Sequence, residues 1–388
     1  MADQIRVVIV DDSAMVRRMI SNMLARDPAI QVIGEARDGY EGIRLVESIR
    51  PDVVTMDVFM PGLDGLAATE HLMAYCPTPI LVLTSSLAQG EVDITFKMLG
   101  AGALEVIEKP NASSNESLER ATWDLIRRIK VLSRVKVVTH LRGRRRTIPA
   151  EALVQSPEPP TVPLAAPVLL AVPAAATVPS EPTDSALLPP FPLVVIGAST
   201  GGPRVIYRIL SELPSDLPAA ILVVQHIAEG FSAGMVEWLQ TASRLPVLLG
   251  QENLLLRPGK VFIAPDQRDL VILPGERIHL TQSPLLIQRP SVDIAMQAAA
   301  EVFAERAIGV LLTGMGRDGA YGLLTIRRRG GATIAQDEQS STIFGMPRAA
   351  VQLGAAQEVL TPPQIAKRLI ELVQQRLPEQ QRTRGIER

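Results

Sequence analysis

Two stretches of the chain alternate short apolar runs with amphipathic helical patterns, and a long segment with neither period lies between them. The first stretch opens with the apolar run Ile5 to Val10, which ends in Asp11-Asp12. Apolar positions at Met15, Met19, Ile20, Met23 and Leu24 then recur at helical spacing. Further strands are expected at Gln31 to Gly34, Asp52 to Met56, Ile80 to Leu83 and Ala103 to Ile107. Helices are expected at Tyr40 to Ser48, Leu66 to Ala74, Val92 to Leu99 and Ser117 to Val135. Five strand–helix units of this length predict an α/β domain with a doubly wound (flavodoxin-like) parallel sheet, over residues 1–125.

From 142 to 192 the pattern disappears. Twelve prolines from Pro149 to Pro192 are spread among Ala, Val, Thr and Ser, and proline at that density prevents both helix and sheet. A flexible tether of roughly 50 residues is expected there, with residues 126–141 as the helical lead into it. A basic cluster, Arg142, Arg144, Arg145 and Arg146, begins it. The second patterned stretch, 193–378, again reads as a doubly wound parallel α/β domain. Its strands are expected at Leu193 to Ile196, Ala220 to Val224, Ile308 to Leu312 and Ala332 to Ala335. Three β-like pieces between Lys260 and Leu280 read as hairpins inserted at the sheet edge. Residues 379–388 are expected to form a disordered tail.

Composition narrows the class. Of 388 residues 47% are hydrophobic and only 3% aromatic, so the cores should be aliphatic, as buried parallel strands require. A net charge of −2 gives no global field toward nucleic acid or an anionic membrane. A lone Cys76 excludes an internal disulfide and any cysteine-based metal site. The N-terminus lacks the pattern of a signal peptide, and the most apolar segment, Leu164 to Val178, is broken by Pro167 and Pro173. A cytoplasmic protein without membrane insertion is expected.

In the first domain the polar residues gather at strand ends: Asp11 and Asp12, Asp57, Thr84 and, after the fifth strand, Lys109. A doubly wound sheet brings those ends to one edge. Three carboxylates there repel one another unless a cation neutralises them, and an all-oxygen set suits Mg²⁺. Lys109 and the Thr84 hydroxyl can then hold the oxygens of an acyl phosphate on Asp57. The text VIVDDSAMVRRMI, DVVTMDVFMPGLDG, LVLTSS and GALEVIEKP resembles a bacterial response-regulator receiver domain. The resemblance implies phosphoryl transfer from a histidine kinase to Asp57, with Mg²⁺ bound by Asp11, Asp12, Asp57 and the backbone carbonyl of Phe59. Many receivers carry a switching aromatic three residues before the lysine; this chain has Val106.

The second domain carries Gly197-Ala198-Ser199-Thr200-Gly201-Gly202 after its first strand. Alone, that stretch fits either a nucleophile loop or a glycine-rich turn with a capping hydroxyl, since it is neither G-x-G-x-x-G nor G-x-S-x-G. His226 and Asp318 follow two other strands. A serine needs a base to take its proton and a third group to orient that base, and the chain supplies one of each at matching strand ends. GASTGGP, VVQHIAEGF, RPSVD, LLTGMGRDGA and QDEQSSTIFGMPRAA resemble the catalytic domain of the chemotaxis protein-glutamate methylesterases, the CheB family, in which an N-terminal receiver is usual.

The resemblance implies Ser199 as nucleophile, His226 as general base and acid, and Asp318 as the residue orienting His226. It implies an oxyanion hole near the backbone amides of Thr200 and Met315. The implied substrates are glutamate γ-methyl esters, and glutamine amides, on transmembrane chemoreceptors, and no cofactor serves the esterase step. It also implies a receiver that packs over the cleft until Asp57 is phosphorylated, in a chain expected as a monomer. Phe231, Trp238 and Phe344 are candidates for lining the cleft or for ordinary core packing. In the alternative reading GASTGG is a phosphate cradle of a binding module, but no Lys follows the glycines. A nearer alternative keeps the chemistry and places it in another chemosensory pathway, such as surface motility.

Overall fold

The computed structural model describes residues 4–85, 89–110, 115–135, 137, 189–281 and 290–378. The tether expected over 142–192 lies outside them apart from 189–192, and the tail expected over 379–388 lies outside them entirely. The first sheet is built from β1 (Ile5–Val10), β2 (Ile30–Ala36), β3 (Val53–Asp57), β4 (Ile80–Thr84) and β5 (Glu105–Glu108), in the order β2-β1-β3-β4-β5. Every pairing is parallel. Between and after the strands run α1 (Ala14–Leu24), α2 (Gly39–Ile49), α3 (Gly65–Tyr75), α4 (Gln89–Ala101) and α5 (Asn115–Leu132). Ser13, Asp38 and Asp64 cap the first three helices by accepting from the amides of Val16, Glu41 and Ala67, which fixes where each helix starts. The three central strands, β1 from Val7 onward, β3 and β4, are buried on both faces, as their unbroken apolar runs require.

The second sheet has seven strands in the order β14-β13-β12-β6-β7-β9-β8, all parallel. They are β6 (Leu193–Ala198), β7 (Ala220–Gln225), β8 (Val247–Leu249), β9 (Val261–Ile263), β12 (Ala307–Leu311), β13 (Ala332–Gln336) and β14 (Glu358–Leu360). A separate antiparallel pair, β10 (Asp269–Leu273) and β11 (Arg277–Thr281), forms a hairpin. The helices are α6 (Gly202–Glu212), α7 (Ser232–Gln240), α8 (Val292–Phe303), α9 (Ala320–Arg328), α10 (Met346–Gln352) and α11 (Pro362–Gln375).

The expectation of three hairpin pieces is only two-thirds right. Val261–Ile263 is a parallel strand of the main sheet, paired with β7 and β8. Two three-residue strands, β8 and β14, carry too short a pattern to stand out from loop sequence. The order matters for function: the chain passes from β6 to β7 on one side, while β12 pairs with β6 on the other. The sheet's switch point therefore lies between β6 and β12, where open α/β sheets form a crevice at the strand ends.

The two domains meet through aromatic side chains. Phe96 on α4 stacks on Trp238 of α7 at 5.5 Å between ring centroids and meets Phe231 edge-on at 6.4 Å. Tyr207 on α6 closes on Trp238 at 4.6 Å. Phe231 and Trp238, candidates for lining the cleft or packing in a core, are buried in this interface. Among the described residues no helix is long and apolar enough to cross a membrane.

Gly197 sits where α8 docks on β6, and a side chain there would strike Val292 and Leu311. Gly197→Ala should cost roughly 1–3 kcal/mol by overpacking, seen as a lower Tm. An unchanged Tm would show that α8 can retreat from the sheet without loss.

Candidate active site

Ser199 is the first residue after β6, and the fold grips its backbone from three sides. Its amide donates to Thr313 O at 3.0 Å, its carbonyl accepts from Gly202 N at 2.8 Å, and the Gln225 side chain donates to the same carbonyl at 2.8 Å. Thr313 in turn donates its hydroxyl to Thr200 O at 3.0 Å. The loop after β6 is thus tied to the loop after β12. Gly201 turns this loop at φ 78°, a left-handed conformation that strains any other residue, and a Cβ there would collide with Thr342.

His226 follows β7 and donates its amide to Ala198 O at 3.0 Å. Its Nε2 lies 2.8 Å from Asp318 Oδ2. Asp318 also accepts from Ser291 Oγ at 3.0 Å, Val292 N at 2.7 Å and Asp293 N at 3.0 Å. Burial works against the charge on Asp318, yet the hydrogen bond from His226 and the amides at the start of α8 hold its carboxyl below the usual range. An ionised carboxylate only accepts, so Nε2 carries a proton, and in the neutral ring Nδ1 carries the lone pair. That Nδ1 is buried with no hydrogen-bond partner. Ser199, Thr200, His226 and Met315 line one cavity of about 250 Å³.

At the edge of the first sheet, carboxylate oxygens of Asp11, Asp12 and Asp57 lie within 4.8 Å of one another. Lys109 Nζ bridges Asp11 at 2.8 Å and Asp57 at 2.9 Å. Burial pushes the Asp57 carboxyl up to about 6, more than Lys109 pulls it down. Burial likewise opposes the Lys109 charge, but Asp11 and Asp57 hold that ammonium above its usual value. Thr84 ends β4 and is buried, and its carbonyl accepts from Lys109 N at 2.7 Å. Phe59 lies two residues beyond Asp57 with its ring exposed.

The family model described as CheB methylesterase matches residues 194–369, and that of the response regulator receiver domain matches residues 7–121. A protein-glutamate methylesterase/protein-glutamine glutaminase of Syntrophus aciditrophicus is 38% identical over 369 residues, covering 95% of this chain and 98% of the relative. One of Anaeromyxobacter dehalogenans is 41% identical over 372 residues, covering 95% and 97%. The chain belongs to the CheB methylesterase family. Among solved structures, the Thermotoga maritima CheB methylesterase catalytic domain is 38% identical with a TM-score of 0.45, covering 47% of this chain and 99% of that one.

In this CheB family member the catalytic and phosphoryl-site candidates fall in two places. Ser199, Thr200, His226, Asp318 and Met315 converge at the second sheet, and Asp11, Asp12, Asp57, Thr84 and Lys109 at the first. Sequence reasoning missed three receiver residues that share the esterase cavity: Phe96, Glu105 and Arg128 are on its wall. Thr200 Oγ1 donates to Glu105 Oε2 at 3.1 Å, and Arg128 pairs with the other oxygen of Glu105. Burial pushes the Arg128 guanidinium down to about 10, which leaves it charged at neutral pH. No motif could have found them, because they act across a boundary that local sequence does not encode. Val106, at the position of the usual aromatic switch, is half-buried on that same wall.

Asp57 titrates near 6 in the fold against 3.8 as a free side chain, so the folded state holds the extra proton between those values. Its contribution to stability therefore falls as pH rises through that window, and ionised Asp57 destabilises above it. Asp57→Asn should melt higher than the natural protein at about pH 7.5, with the gap closing as pH falls toward 4. A gap that stays constant across this range would mean the carboxyl charge is not its cause.

Proposed function

We propose that this chain is a phosphorylation-activated serine esterase that hydrolyses glutamate γ-methyl esters on chemoreceptors and converts receptor glutamines to glutamate. The observation that carries this reading is the His226–Asp318 pair, with an unpartnered Nδ1 on a ring that shares one cavity wall with Ser199. Nδ1 takes the Ser199 proton as Oγ attacks the ester carbonyl, and Asp318 stabilises the imidazolium that forms. Backbone amides of Thr200 and Met315 donate to the developing oxyanion, an interaction worth about 3–4 kcal/mol per donor in related chemistry. The proton passes from Nδ1 to the departing methoxide, which leaves as methanol. Water then attacks the acyl-enzyme carbonyl, its proton going to Nδ1 and from there to the departing Ser199 Oγ, which frees the glutamate and restores the serine. With a glutamine amide the leaving group is ammonia.

A histidine kinase is the phosphodonor class, and Asp57 the acceptor. The acidic cluster fits a hard dication: Asp11, Asp12 and Asp57 offer only oxygen, gathered closely enough for one ion. The Phe59 carbonyl is the fourth ligand in this reading. Bound there, Mg²⁺ neutralises the carboxylates and the phosphoryl oxygens. Lys109 and Thr84 hold the transferred group once it is on Asp57.

Regulation in this reading is by access. A helix with side chains is about 10–12 Å across, too wide for a cavity of about 250 Å³ roofed by the receiver. The receiver must move aside before a receptor helix reaches Ser199. Its hold combines the Phe96–Trp238 stack with the Glu105–Thr200 hydrogen bond. Methanol release from a methylated receptor tests the whole scheme. Ser199→Ala should abolish release, and Asp57→Asn should keep the basal rate while losing stimulation by a phosphodonor. Glu105→Gln should raise the unphosphorylated rate severalfold. Stimulation persisting in Asp57→Asn, or an unchanged basal rate in Glu105→Gln, would remove that residue from the scheme.

A further inference from the structure

Asp318 is held by four donors, and only one of them besides His226 is a side chain: Ser291 Oγ. We propose that Ser291 is a positioning residue for the hydrolytic reaction, its hydroxyl fixing the carboxylate that orients His226. The proposal rests on the triad reading above.

Ser291 is the N-cap of α8, and an N-cap needs only an acceptor. Its Oγ accepts from Ile294 N at 3.4 Å, a long contact, and lies closer, at 3.0 Å, to Asp318 Oδ1. A hydroxyl has one proton, and here it goes to the carboxylate. The residue is itself clamped: it is 2% exposed, and its amide donates to the fully buried Asp269 at 2.8 Å. The amides of Val292 and Asp293 are donors that any helix start provides. The hydroxyl is not, and it comes from the RPSVD stretch, whose serine would otherwise have no role beyond capping.

The arrangement links the orientation of the base to the start of one helix. Asp318 Oδ2 receives His226 Nε2 and Val292 N, while Oδ1 receives Ser291 Oγ and Asp293 N. Each oxygen is thus held by one backbone amide and one side chain, and rotation of the carboxyl would break bonds on both. Three acids face this corner: Asp269 on β10, Asp318 itself, and Asp293, which burial pushes up to about 6. All three remain in every variant below, so differences between variants report the residue at 291.

The test uses the full-length protein and a methylated receptor. Ser291→Ala should lower kcat about tenfold with KM unchanged, the effect of one lost hydrogen bond to a charged acceptor. The acid limb of its kcat/KM profile should move to higher pH, because a carboxylate with one donor fewer holds the imidazolium more strongly. Ser291→Thr, which both caps and donates, should restore rate and profile. Ser291→Asp caps equally well but sets a second carboxylate against Asp318, and should be slower than Ser291→Ala with the limb moved further. If Ser291→Ala does not fold, the Thr and Asp variants carry the test, since both cap and only Thr donates. Equal activity in those two, or a Ser291→Ala enzyme with a lower Tm and natural kcat and profile, would reduce Ser291 to a helix cap. Asp318→Asn measured alongside separates the two levels: if it keeps full activity the triad reading falls, and if it alone is impaired only the role of Ser291 falls.

Discussion

A carboxylate removed from water must be compensated by hydrogen bonds or opposite charge, and both domains are built around how far that compensation goes. At the second sheet it is complete. Asp318 has four donors on two oxygens and stays ionised despite its burial. At the first sheet it is deliberately short: Asp57 shares Lys109 with Asp11, and burial wins. A fully satisfied anion is a fixed part that holds another group in place. An under-satisfied one gains from meeting a cation. The same residue type at the same kind of strand end is thereby given two different tasks.

Much of this was legible in the chain. Parallel strands buried on both faces are written as unbroken apolar runs, so β1, β3, β4, β6, β7 and β12 announce themselves, and whatever follows them lies at the edge where ligands bind. Ser199, His226 and Asp318 could therefore be grouped without knowing any distance. The three-residue strands β8, β9 and β14 have no such signature, and one of them was mistaken for part of a hairpin. Ser291 stands in the RPSVD stretch, but its hydrogen bond to Asp318 depends on where β12 delivers that residue, which is a tertiary fact. Glu105 and Phe96 were invisible as site residues for the same reason. They belong to one sheet and act at the mouth of the other.

The interface between the domains divides its work by chemistry. Phe96, Phe231, Tyr207 and Trp238 supply contact area, which is non-directional and tolerates sliding. Glu105, with Arg128 behind it, supplies one directional contact onto Thr200, the neighbour of Ser199. On the receiver side, Phe96, Glu105 and Arg128 come from α4, β5 and α5, the elements that follow Thr84 or flank Lys109. A change at the phosphoryl site thus has a short structural route to the esterase mouth.

The His226–Asp318 hydrogen bond is already formed at 2.8 Å with the receiver in place over the cavity. In the access reading, restraint of this kind leaves the His226–Asp318 pair assembled and works by molecular size, like a sieve. An ester of a few atoms and an ester carried on a protein helix are then two different substrates to the resting enzyme, although the bond to be cut is the same.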